Sequence, residues 1–364
     1  MTIREITKIV EEIAPLSYAE DFDNVGLLVG NPDEKVTGVL VALDTLESVV
    51  DEAIAKNCNL IISFHPIIFS GLKKLTGKNY VERVVIKAIQ HNIAIYAIHT
   101  ALDNSMVGVN AKICEILGLN NPKILIPKTQ TIQKLTTYVP VKNAEKLRLA
   151  LFGAGAGSIG NYDHCSFNID GFGTYKANET ANPTIGQKGI THQENETCIT
   201  VIFEKHLEQS ILETLFKNHP YEEVAYEMIT LNNKNQHIGL GMIGELSKAL
   251  DEDEFLKSVK KNMNTACVRH SKILHKKIKR VAVLGGSGSF AIENAIAAGA
   301  DAFITSDLKY HEFYRAENNI LLIDIGHFES EQFTKNLLVE YLTKKIANFA
   351  IILSETNTNP IYYL

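Results

Sequence analysis

His65, His99, Asp103, His327 and Glu331 are the residues of this chain whose types and placement could do chemistry together. His65 stands in Phe64-His65-Pro66, where one apolar run breaks. His99 and Asp103 bound His99-Thr100-Ala101-Leu102-Asp103 at the end of a second run. A third, 321–325, breaks at Gly326-His327 and leads to Glu331. Each group falls where a buried strand should end, and parallel sheets present their chemistry at the carboxyl ends of their strands. Two imidazoles (His65, His327) and two carboxylates (Asp103, Glu331) form a ligand set suited to zinc, iron or manganese.

Taken singly, each residue has a plainer reading. Pro66 ends a central strand and holds His65 extended at its exit, where a lone histidine is more often structural. Asp103 at a strand–helix junction reads as an N-cap. His327 and Glu331 are four apart, the spacing of one helical face. Ser330 as an N-cap would leave His327 ahead of that helix, and Glu329 rivals Glu331. The metal reading rests on the convergence of all four.

The elements that must hold these residues alternate. Strands read at 36–43, 60–63 and 93–98, with helices at 46–56, 81–91 and 109–117. The rhythm returns late, with strands at 281–284, 303–305 and 321–325, and helices at 290–298 and from Ser330 to about Lys344. Continuous apolar strands between amphipathic helices predict an α/β layer covered on both faces. Between the two halves, 129–240 is richer in Gly, Asn and Thr. It reads as strand 135–139, helix 144–152, a hairpin at 166–175, strand 198–203, helix 207–217 and strand 224–231. Two β-α-β-like halves predict a ferredoxin-like module. The expected fold is therefore an α/β core in two parts, 1–128 and 241–364, interrupted by an inserted ferredoxin-like α+β domain, 129–240. All metal candidates lie outside the insertion.

The run from Val281 to Ala291 reads as strand, glycine loop and helix start. It fits G-x-G-x-x-A through Gly286, Gly288 and Ala291, so a dinucleotide site is one reading. A backbone N–H seat for a phosphate or carboxylate is a second, and a tight turn is a third. Asp307 and His311 follow the strand at 303–305 and read as partners of a metal ligand or as proton-transfer groups, against a capped helix start with a solvated histidine. Asp23-Asn24-Val25-Gly26 reads only as a turn before a strand. His219, His270 and His275 read as surface.

Composition bounds the function. The 364 residues are 45% hydrophobic and 21% charged with a formal charge of −6, which gives no electrostatic reason to expect nucleic acid. Five scattered cysteines without a C-x-x-C pair point to a reducing compartment. No apolar run reaches the roughly 18 residues of a membrane span, and the acidic residues of the first segment do not suit a secretory leader. A cytoplasmic protein is expected.

Together, DNVGLLVG, FHPIIFSG, HTALD, GGSGS, GADAFITSD followed by YHEF, and IDIGHFESE resemble the NIF-three-like family, whose members are named GTP cyclohydrolase 1 type 2 homologues. The segments GAGAGSIGNYDHCSF and GFGTYK resemble the longer YqfO-type members, whose inserted domain is similar to PII and CutA proteins. The resemblance implies two divalent metal ions per chain, held by His65, Asp103, His327 and Glu331 with the carboxylates shared. It implies a closed ring, a hexamer, and a small-molecule substrate, a nucleotide by the family name. This chain departs at Phe64, where many members carry the first of two consecutive histidines; His99 is the nearest residue to compensate, or else a strand-end residue that positions Asp103. A hydrolase is the reading so implied, with His99 or His311 shuttling protons and a second metal or the 285–289 loop holding the substrate anion. The alternative is a non-enzymatic, metal-dependent regulator or scaffold.

Overall fold

The computed structural model describes residues 1–364, which divide into two compact units: Met1–Pro127 together with Gln236–Leu364, and Lys128–Asn235. The first unit holds two sheets. One has the spatial order Gly26–Val29, Ala94–Ala97, Leu60–Ser63, Val39–Ala42, Ile351–Leu353; only its first pairing is antiparallel. The other runs Arg269–His270, Leu321–Asp324, Ala302–Ser306, Lys277–Ser287, Gly239–Asp251, Leu119–Pro127, with three parallel strands at its centre.

Side-chain alternation assigns each sheet an inner and an outer face. Val39, Val41, Leu60, Ile62 and Tyr96 from the first sheet share one apolar cluster with Val281, Val283, Ile304, Leu321 and Ile323 from the second. Leu40, Ile61 and Ile95 face the opposite way, onto Val49, Ala53, Val84 and Ala88 of helices Glu47–Ala55 and Tyr80–Gln90. Ala282, Phe303 and Leu322 do the same on the far sheet, against Ile292 and Ala295. Both sheets turn these faces to one shared core that also holds helices Val109–Leu117, packed on the second sheet, and Thr334–Lys345, packed on the first. The exits of both parallel blocks meet where His65 and His327 approach Glu331.

Most expected elements fall where the apolar patterning puts them; helix Glu252–Asn262 and strand Ile351–Leu353 are present without having been expected, and two further departures stand out in this unit. Leu119–Pro127 and Gly239–Asp251 form a long antiparallel ladder that the α/β rhythm does not announce, because Asn120, Asn121, Pro122 and the glycines at 239, 241 and 244 interrupt the apolar pattern. The helix expected from Ser330 is two helices, His327–Glu331 and Thr334–Lys345.

The second unit is a four-stranded antiparallel sheet in the order Phe167–Lys176, Thr191–Glu204, Ile132–Pro140, Tyr226–Leu231. Helices Val141–Gly153 and Glu208–Asn218 cover one face through Leu147, Leu151, Ile211 and Leu215, packed on Leu135, Val139, Ile199 and Val201. The hairpin expected at 166–175 is a single strand, Phe167–Lys176, whose partner is Thr191–Glu204. His219, expected at the surface, is 7% exposed and lies within hydrogen-bond distance (3.0 Å) of the Tyr138 carbonyl through Nε2.

Candidate metal centre

Strand exits supply the site. The chain leaves Val39–Ala42 into Asp44, Leu60–Ser63 into His65, and Ala94–Ala97 into His99; from the other sheet it leaves Ala302–Ser306 into Asp307 and Leu321–Asp324 into His327. Gly326, at φ +91°, turns the chain into the single helical turn His327–Glu331. That corrects the expectation of Ser330 as N-cap. Ser330 instead bonds through Oγ to the His327 carbonyl and accepts the Gly286 N–H. The turn puts His327 and Glu331 on one face. Glu329 points elsewhere and takes the Asn359 amide, so Glu331 is the inward carboxylate.

One ligand atom each from His65, His327 and Glu331 lies within 4.8 Å of the others. His65 Nε2 and His327 Nε2 both stand 3.2 Å from Glu331 Oε2. Neither is aligned for a hydrogen bond, and Oε2 is a buried oxygen without a donor. On the far side of each ring an aspartate waits: Asp44 Oδ1 is 2.8 Å from His65 Nδ1, and Asp307 Oδ2 is 2.6 Å from His327 Nδ1. An imidazole that donates from Nδ1 to a carboxylate keeps the Nε2 lone pair for a cation and is held in one plane. The group therefore demands positive charge. Burial alone would lower both imidazoles, but the carboxylates on either side outweigh it and push His65 up to about 10 and His327 up to about 11. Glu331, which burial would raise, is drawn down to about 2 by the two imidazoles.

Asp103 stands beside this trio. Its Oδ1 is sealed from solvent without a hydrogen-bond partner. Burial, then the charge of Glu331, holds its carboxyl well above the ordinary carboxylate range, while His65 and His327 oppose this. Two buried carboxylate oxygens without donors, beside two oriented imidazoles, are a donor set that fits a divalent cation.

His99 forms a third dyad. Its Nδ1 is 2.9 Å from Asp23 Oδ1, and Asp23 Oδ2 accepts from the Thr100 N–H and hydroxyl. Asp23, which burial would raise, is drawn down to about 2 by His99 and Thr100. The His99 ring meets that of His65 at 5.1 Å. Phe64 is fully buried, its ring 4.9 Å from His65 and 5.4 Å from His99, so it forms an apolar wall beside both imidazoles. His311 is not brought into the cluster; its ring lies against Tyr310 and Tyr314.

The first two N–H groups of the glycine run are not free to hold an anion. Gly285 N–H is taken by Asn110 and Gly286 N–H by Ser330. The strand continues through Ser287, and the helix behind it is only Ile292–Ala297. What the run supplies is clearance. A Cβ on Gly286, which sits at φ +70°, would come within 2.5 Å of Glu331 Oε1, so only glycine lets the strand pass the carboxylate.

Asp44 and Asp23 escape sequence reasoning. Asp44 was legible in principle, since it follows an apolar strand just as His65 does. Asp23 was not, because only the antiparallel placement of Gly26–Val29 beside Ala94–Ala97 carries it to His99.

The fold and site define an α/β protein with paired strand-exit dyads around a candidate metal centre. The sequence profile of the Duf34/NIF3 (NGG1p interacting factor 3) family matches residues 1–360, and the chain belongs to that family. It is 36% identical to a Bacillus subtilis protein named GTP cyclohydrolase 1 type 2 homolog, over 99% of this chain and 98% of that one. Among solved structures it is similar to a Bacillus cereus protein related to NIF3, with 35% identity and a TM-score of 0.88 over 100% of this chain and 99% of the other. A Staphylococcus aureus structure has 32% identity and a TM-score of 0.79, with 100% and 99% covered. No helix is long and apolar enough to cross a membrane.

Proposed function

We propose that this chain is a divalent-metal protein with hydrolytic chemistry at this centre, and that His65, His327, Glu331 and Asp103 are its ligands. The observation that carries the reading is the pair of Nε2 atoms, each freed by an aspartate on Nδ1, converging on one buried glutamate oxygen that lacks a donor. A bound divalent cation lowers the pKa of a water from 15.7 toward about 7 and so supplies hydroxide at neutral pH. Asp44 and Asp307 hold the two imidazoles in plane. His99, steadied by Asp23, is the group set to accept or return a proton, because its ring lies against His65 while His311 lies among tyrosines.

Two ions per chain are the proposed complement, since Asp103 and Glu331 offer four oxygens between them. Phe64 supplies no donor, so the second ion is held by fewer protein atoms. The name carried by the curated relatives points to a guanine nucleotide as the first substrate to try, and the family resemblance to a hexameric ring. Lys128–Asn235 is proposed as a ferredoxin-like insertion, supported by its β-α-β-β-α-β chain order and antiparallel sheet.

The test is elemental analysis of the purified protein, followed by a nucleotide panel with added zinc, iron or manganese against chelator. One to two ions per chain with metal-dependent turnover is the expected result. Metal without turnover on any substrate would leave a regulatory or scaffold role, and protein without metal would end the reading.

A further inference from the structure

We infer that Thr358 is a positioning residue for the metal centre, acting through Asp44 on His65, and that the C-terminal segment from Ser354 onward is a strap that braces the ligand set. The inference rests on the metal-site reading above.

The topology directs the strap to the site. Ile351–Leu353 lies parallel to Val39–Ala42, so the terminal strand leaves the sheet at the same end as the chain that reaches Asp44. Its first residues are anchored on the helix behind that strand. Glu52 accepts from the Ser354 hydroxyl at 2.6 Å, the Glu355 N–H at 2.9 Å and the Thr356 hydroxyl at 2.6 Å. Burial would raise the Glu52 carboxyl, yet these donors and Lys56 draw it down to about 2. The anchor is thus a fully used carboxylate.

Beyond it, Thr358 is 6% exposed and donates its hydroxyl to Asp44 Oδ2 at 2.6 Å. Asp44 Oδ1 meets His65 Nδ1 at 2.8 Å. With one oxygen held by Thr358 and the other by His65, the Asp44 carboxylate cannot rotate without breaking a hydrogen bond, and the His65 ring plane is fixed in turn. The next residue reaches the other ligand segment: Asn359 Nδ2 donates to Glu329 Oε1 at 3.1 Å, inside the turn His327–Glu331. Two adjacent strap residues therefore touch the aspartate behind one imidazole and the helical turn that carries the other imidazole and Glu331. A segment that merely covered an apolar edge would not spend its buried hydroxyl on Asp44.

The experiment uses full-length Thr358→Val, which keeps the shape and removes the donor, together with Thr358→Ser, which restores it, and His65→Ala as control. Zn2+ affinity is read by competition with a chromophoric chelator, the site's geometry by the visible absorption of Co2+, and folding by the thermal midpoint of metal-free protein. The expected result is Zn2+ binding weaker by about tenfold in Thr358→Val, at the low end for groups that orient a ligand. An altered Co2+ spectrum, an unchanged metal-free midpoint and recovery in Thr358→Ser should accompany it. In an Asp44→Asn background, Thr358→Val should cost nothing further, because the two act in series. Zn2+ affinity within twofold of the parent in Thr358→Val, while His65→Ala loses the metal, would overturn the strap alone. So would a lowered metal-free midpoint without rescue by serine. Zn2+ binding unchanged in His65→Ala would instead sink the metal-site reading, and the strap with it.

Discussion

The two arms of the centre share a plan but differ in how tightly each is enclosed. One arm is Asp44–His65, the other Asp307–His327, and both imidazoles present Nε2 to Glu331 at 3.2 Å. Yet the His65 side chain is 21% exposed and that of His327 37%, while the carboxylates behind them are 32% and 43% exposed. Asp44 is also held by the buried Thr358, whereas Asp307 is held by Ser287 at the surface. The first arm is a braced wall and the second an open lip. On the proposed reading the same ligand chemistry would serve two purposes: one imidazole would fix the cation, and the other would border the more open side of the site.

The largest effect should come from removing what both arms converge on. His327→Ala with Glu331→Ala should strip most of the metal from purified protein, read by elemental analysis; unchanged content would end the comparison.

Acidity should act on both arms together. Metal must displace a proton from each raised imidazole, so affinity should climb with pH between about 6 and 9, with about two protons released per ion. The metal-free protein should behave oppositely. Both folded pKa values lie above the ordinary 6.5, so their stabilisation is complete below that value and lost as pH rises through about 10 for His65 and about 11 for His327. Glu331, drawn down to about 2, contributes above its ordinary 4.5 and loses that contribution as pH falls toward 2. Calorimetric titration of metal and thermal midpoints of metal-free protein from pH 7 to 11 check both signs; a midpoint that climbs across that alkaline range contradicts the assignment.

The asymmetry itself is tested by Asp44→Asn against Asp307→Asn. Loss of a residue that orients a ligand typically costs 10–100-fold in metal affinity. Asp44→Asn should fall near the upper end and Asp307→Asn near the lower, because water can replace the exposed Asp307. Equal losses would erase the distinction between wall and lip.

A smaller change is expected from Phe64→His. Phe64 packs against both His65 and His99, and an imidazole there should strengthen the weaker of two metal-binding steps while leaving the stronger nearly unchanged. Two equal steps, unmoved by the substitution, would mean that residue 64 does not serve the ions. The smallest change should follow excision of Lys128–Asn235. Pro127 and Gly239 are partners across one ladder, so a short turn can close the gap, and metal affinity should move by less than about twofold. Loss of metal in a folded core would show that the insertion contributes to the site.

Much of the site was legible as a list and little of it as an arrangement. His65 and His327 stand out because short, largely apolar runs end just before them, and the exit of a buried strand is a local property of sequence. Asp103 and Glu331 follow within about a helical turn of such exits and gain weight only from the convergence of all four. The parallel blocks were legible for the same reason: residues such as Leu60 to Ile62 are apolar without alternation, which only a strand covered on both faces requires. That Phe64 stands in place of a donor came only from the family resemblance, since a buried phenylalanine at a strand end is otherwise ordinary.

The tertiary structure decided which groups are partners. Glu331 over Glu329 was settled by the helical turn that begins at His327, set by a glycine at positive φ. Asp44, Asp23 and Asp307 became the holders of three imidazoles only once separate strands had been brought into register. The glycine run could be read as a dinucleotide site, an anion seat or a tight turn; packing commits the Gly285 and Gly286 N–H groups to Asn110 and Ser330 and leaves Gly286's space to Glu331. Thr358 gave no signal at all, for a threonine in a polar tail is commonplace until a parallel edge strand delivers it to an aspartate. Patterning is fixed by each segment's own need to bury apolar surface, whereas hydrogen-bond partnership depends on side-chain positions a few tenths of an ångström apart, contributed by segments hundreds of residues distant, and only the folded packing sets those.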